Sequence, residues 1–139
     1  METLVQMLHA GGYSCVIRNG EEIQTFTRKG VIDLYEVIEQ RPMLLRGACV
    51  ADKVVGKGAA ALMVLGGIKA VHTDIISTPA LALLQKHGIQ ISYAVETAQI
   101  MNRAKDGFCP VETLCMELQT VDEMYQAISQ FIKQNFYGK

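Results

Sequence analysis

The sequence predicts an α/β domain with a mixed sheet, in which an N-terminal β-hairpin lies beside parallel strands joined by helices. Three observations carry this reading. Asn19-Gly20 separates two strand-like segments and is the strongest short hairpin signal, because both residues tolerate positive φ. From Met43 to Val95, strand-like and helix-like runs alternate, with glycine stops at Gly66-Gly67 and Gly88. The connections are short, and strand–helix–strand order with short connections means crossover helices between parallel strands.

Taken in order, Glu2 to Ala10 places Leu4, Val5 and Leu8 on one helical face and stops at Gly11-Gly12. Ser14 to Arg18 and Glu22 to Arg28 form the hairpin. Val31 to Gln40 repeats Leu34, Val37 and Ile38 at helical spacing, and Arg41-Pro42 ends that helix. Met43 to Val50 reads as a buried strand or an extended entry segment, Asp52 to Leu65 as an Ala-rich helix, and Lys69 to Ile76 as the next strand. Ser77-Thr78-Pro79 is a cap followed by proline at the helix start, and that helix runs to His87. Ile89 to Val95 is a further strand. Thr97 to Lys105 and Pro110 to Leu118 read as short helices. Thr120 to Phe136 is an amphipathic helix opened by the capping box Thr120…Glu123, with Val121, Met124, Tyr125, Ile128, Phe131 and Ile132 inward.

The chain has 139 residues and is half apolar, which suits one domain spanning 1–139. Its 13 basic and 14 acidic residues leave no basic excess for a nucleic-acid partner. The longest apolar run, Ala59 to Leu65, is too short to span a bilayer, and Met1 to Ala10 lacks the basic cluster of a secretory signal. Cys15, Cys49, Cys109 and Cys115 show no C-x-x-C spacing and read as reduced thiols, so a cytoplasmic location is expected.

In an open sheet, ligands sit beyond the carboxyl ends of parallel strands, where helices begin. The reading places two helix starts there, at Asp52 and at Ser77-Thr78. Their free N–H groups suit an anion, with Lys53 and Lys57 adding positive charge. Ordinary capping and a solvated helix face explain the same residues. A second constellation is Asp106 to Glu112. Pro110 sets Cys109 at a helix N-cap, where a thiol is activated, and Glu112 falls in the first turn, able to reach back to the helix start. The competing reading is a small core cysteine with a capping glutamate. His9, His72 and His87 are scattered, and no zinc-binding spacing occurs.

The stretches V-A-D-K-V-V-G-K-G-A-A (Val50 to Ala60), I-S-T-P-A-L (Ile76 to Leu81) and C-P-V-E (Cys109 to Glu112) carry a resemblance over nearly the whole chain. The chain resembles a family of small uncharacterised prokaryotic proteins, a domain of unknown function with a cytidine deaminase-like fold. The resemblance implies three α/β/α layers, a cleft between two helix starts and a tendency to oligomerise. Zinc deaminases carry H/C-x-E and P-C-x-x-C at those starts. Laid on this sequence, the motifs fall on Val50-Ala51-Asp52 and Thr78 to Leu81, which supply no thiolate or imidazole, so no zinc and no other cofactor is expected. Three functions compete. One is a zinc-less domain that binds a small anionic metabolite or nucleotide through Asp52, Lys53, Lys57, Ser77 and Thr78. Another is a metal-independent enzyme using Cys109 or Asp52, with Glu112 nearby. The third is a self-associating module using the apolar end of the closing helix, at Phe131, Ile132, Phe136 and Tyr137.

Overall fold

In a computed structural model, which describes residues 1–28, 30–101, 107 and 109–137, helix α1 (Glu2–Ala10) leads into the hairpin of β1 (Cys15–Asn19) and β2 (Glu22–Phe26). Gly20 makes the turn at φ 61°. Helix α2 (Ile32–Gln40) and the short α3 (Pro42–Leu45) follow. Then come β3 (Cys49–Val55), α4 (Lys57–Gly66), β4 (Ala70–Ser77), α5 (Thr78–Lys86) and β5 (Gln90–Thr97). Helices α6 (Pro110–Cys115) and α7 (Val121–Ile132) come last, and a π-helical turn covers Lys133–Tyr137. The five strands run in the order β2-β1-β3-β4-β5. Strand β1 is antiparallel to both β2 and β3, while β3, β4 and β5 are mutually parallel.

The largest difference from the sequence reading lies around residue 50. The expected strand from Met43 begins only at Cys49, because Pro42 opens a helical turn. The expected helix from Asp52 begins at Lys57. Asp and Lys disfavour strands, yet Asp52 pairs with Cys15 on one side and Thr73 on the other, and a central position in the ladder overrides propensity. The helix expected from Thr97 is not seen at its start, where β5 runs through Thr97, and residues 102–106 lie outside the described residues. The closing helix is α-helical only to Ile132.

Helices lie on both faces of the sheet, unequally. On one face, among the described helices, α1 alone packs Leu4 and Leu8 against Val16 and Ala51. The other face builds the larger core, with Ile17, Val50, Val71 and Ile76 meeting Leu62, Met63, Leu84, Met124, Ile128 and Ile132. Helix α4 is small-sided because other elements press on it. A Cβ at Gly58 would lie 2.5 Å from Val111 Cγ1. Gly58→Ala is therefore expected to lower stability by roughly 1–3 kcal/mol through overpacking, measured as a fall in the urea midpoint at unchanged slope.

Helix α1 packs mainly on β1 and β3 and reaches β4 through His9. Beyond it, Val54, Ile75 and Val95 stand in one row across β3, β4 and β5 and are 42%, 37% and 54% exposed. Their chain neighbours Val55 and Ile76 are buried in the larger core.

Candidate functional site

Strand β3 ends at Val55, the extended Gly56 caps α4, and α4 begins at Lys57. One strand along, β4 ends at Ser77, whose Oγ accepts from Ala80 N at 3.2 Å as the N-cap of α5. Val55 and Ile76 are register partners in parallel strands, so the two helix starts lie side by side. The two helix starts expected to share a crevice lie together, one of them at Gly56-Lys57 rather than Asp52-Lys53.

That crevice is filled from within the chain. Glu112 of α6 is 1% exposed and sends its carboxylate into the gap. Its Oε2 accepts from Lys57 N at 2.7 Å and from Ser77 Oγ, and its Oε1 accepts from Ile100 N at 2.6 Å. Gly56 leaves the room, since a Cβ there would stand 3.2 Å from Glu112 Oε2. Two positive helix ends thus meet one carboxylate, an arrangement of charge-assisted bonds in a dry setting. The bonds of Glu112 go instead to other elements: it caps α4 and accepts from the Ser77 hydroxyl that caps α5. Gly56 and Ile100 were missed, because their parts are played by backbone rather than side chain.

The remaining residues named from the sequence separate. The Lys57 ammonium donates to Met116 O at 2.9 Å, past the end of α6. Thr78 Oγ1 donates to Glu96 Oε2 at 2.7 Å. Asp52 and Lys53 lie inside β3, which corrects their assignment to a helix start. Asp52 is partly buried beside Cys15. Burial pushes its carboxyl up to about 7, with Asp74 and Asp33 adding and the backbone N–H groups of Val54 and Lys53 opposing. The neighbouring Cys15 thiol is held well above its ordinary range by burial first and by Asp52 second. Cys109 is the N-cap of α6, as expected, and makes no side-chain capping bond. Cys115 is buried, and burial pushes its thiol up to about 11. Asp106 lies outside the described residues.

The structure also moves the deaminase comparison. The helix starts carry Gly56-Lys57-Gly58 and Ser77 to Leu81, again without thiolate or imidazole. These residues do not fit a zinc ion. Among the described residues, no group of three or more His, Cys, Asp and Glu is arranged to hold a metal.

His87 caps the end of α5, but the other two histidines converge. His9, in the last turn of α1, places Nε2 at 2.9 Å from both carboxylate oxygens of Asp74. His72 Nε2 stands 3.9 Å from Asp74 Oδ1, and His72 Nδ1 lies 2.8 Å from Ser92 Oγ. His72 and Asp74 share one parity of β4, but their partners on α1 and β5 are separated too far along the chain for any spacing rule.

Comparison with known proteins returns a family and a fold. A family profile described as "TM1506: Domain of unknown function (DUF1893)" matches residues 3–132. A solved structure of a DUF1893 family protein, TM1506 from Thermotoga maritima, superposes with a TM-score of 0.86 at 24% identity, covering 94% of this chain and 88% of that one. No curated protein matches. The profile spans nearly the whole sequence, and the chain belongs to the DUF1893 family.

Proposed function

We propose that this chain is a self-associating interaction module on a cytidine deaminase-like fold, joined to a second copy along β5. The fold assignment is supported by the hairpin, the parallel run β3-β4-β5, and two helices that start side by side where β3 and β4 end. Anion binding in the crevice is the less favoured reading, since Glu112 already takes the amide of Lys57 and the hydroxyl of Ser77.

The observation that carries the proposal is the edge strand. Among the described residues β5 pairs with β4 alone, and it is eight residues long, with Tyr93 and Val95 exposed. Natural edges are blunted by lysine, proline or a very short strand. The opposite edge, β2, has five residues and carries the Glu22–Arg41 ion pair at 2.7 Å. β5 has no lysine or proline, and its single charge is Glu96. Antiparallel pairing about a two-fold axis keeps the two Glu96 carboxylates at opposite ends, whereas parallel pairing would set them side by side. Such pairing satisfies the open N–H and C=O groups of both strands and extends the sheet across two copies.

Light scattering should give about twice the 15.3 kDa chain mass for the wild type. Val95→Lys, which places a charge on the edge without touching the core, should give the single-chain mass at an unchanged thermal midpoint. A wild type that stays monomeric at the highest soluble concentration overturns the proposal, as does a Val95→Lys variant that stays dimeric.

A further inference from the structure

We infer that Ser92 is an activated nucleophile, and that the ledge where α1 meets the open face of β4 and β5 is an acyl-transfer site for activated carboxylic esters. This stands apart from the association of β5, because edge pairing uses the backbone of the strand and leaves its faces free.

Four side chains from three elements form one connected array: Ser92 on β5, His72 and Asp74 on β4, and His9 on α1. Parallel register aligns Ser92 with His72 across the ladder. The 2.8 Å separation of Ser92 Oγ from His72 Nδ1 is the nucleophile–base contact such chemistry requires. Asp74 faces the other ring nitrogen at 3.9 Å. A carboxylate there favours the tautomer with its N–H on Nε2, which leaves the Nδ1 lone pair for the serine proton. His9 holds Asp74 from the far side with Nε2 at 2.9 Å, so Asp74 and His9 are positioning residues. The ring of His72 is four-fifths covered, which limits competition from water, while Ser92 is exposed to an incoming reagent.

In the step proposed, Ser92 Oγ bonds to the ester carbonyl carbon as its proton passes to His72 Nδ1. The bond from that carbon to the leaving oxygen then breaks, and the leaving oxygen takes the proton from His72. Water attacks the acyl-serine, gives one proton to His72 and releases the acid, and the proton returns to Ser92 Oγ. No oxidant, reductant or further reactant is required.

The test is labelling of the full chain with a biotinylated alkyl fluorophosphonate, the modified peptide being found by mass spectrometry, beside hydrolysis of 4-nitrophenyl acetate. Label is expected on the peptide containing Ser92. His72→Ala should slow that labelling at least tenfold, within the range for loss of a general base, and free imidazole should restore part of it. Asp74→Asn should slow it less, and Ser92→Ala should abolish it at an unchanged thermal midpoint. Partial rescue by imidazole is a response that a merely structural His72 would not give. Label on other residues only, or labelling of Ser92 at the same rate in His72→Ala, overturns the inference.

Discussion

Replacing Glu112 with alanine is expected to cost roughly 3–5 kcal/mol of folding stability, a large share of what a domain of this size holds. The substitution strips the acceptor from Lys57 N, Ser77 Oγ and Ile100 N at once. Each buried donor left without a partner costs about 1–3 kcal/mol, and the lost carboxyl leaves a cavity between α4, α5 and α6. Glu112→Gln should fall between the two, because one oxygen still accepts while the new NH2 group meets donors on the other side. Urea unfolding followed by far-ultraviolet circular dichroism measures both. A loss of less than about 1 kcal/mol for the alanine variant would mean that water takes the place of the carboxylate and that the cluster does not lock the helix starts.

The second large effect concerns pH. Asp52 titrates near 7 in the folded chain against an ordinary 3.8, because burial disfavours its charge. Between those values the folded state holds a proton that the unfolded state has released, so stability falls as pH rises through this window and is constant above it. The full shift corresponds to about 4 kcal/mol. Asp52→Asn removes the titration, and its stability relative to wild type is expected to rise by roughly 2–4 kcal/mol from pH 4 to pH 8. Comparing the two proteins by denaturant midpoint across that range isolates Asp52 from every other titrating group. A difference independent of pH would show that this carboxyl ionises normally.

Local signals gave much of this fold. Asn19-Gly20, Gly11-Gly12, Ser77-Pro79, Gly88 and the Thr120…Glu123 box each fixed a boundary, because turns and caps are written in neighbouring residues. The failure at β3 has the opposite cause. V-A-D-K-V-V reads as a helix opening until Cys15 and Thr73 are seen pairing on either side of Asp52. The candidate site was legible by half. Lys57 was named for its charge and Ser77 for its hydroxyl, whereas Glu112, 55 residues beyond Lys57, takes the Lys57 amide and the Ser77 hydroxyl. The array of Ser92, His72, Asp74 and His9 was illegible, since His9 and Asp74 are 65 residues apart and only the packing of α1 brings them together.

The clasp formed by Glu112 also bears on when the chain can fold. Helix α4 has no side-chain cap of its own. Its first amide waits for a carboxylate that a ribosome adds only after β1 to β5 have been made. A nascent chain ending at Thr97 holds β1 to β5 but leaves α4 unanchored at its start, so the native state is not acquired before Glu112 has been made.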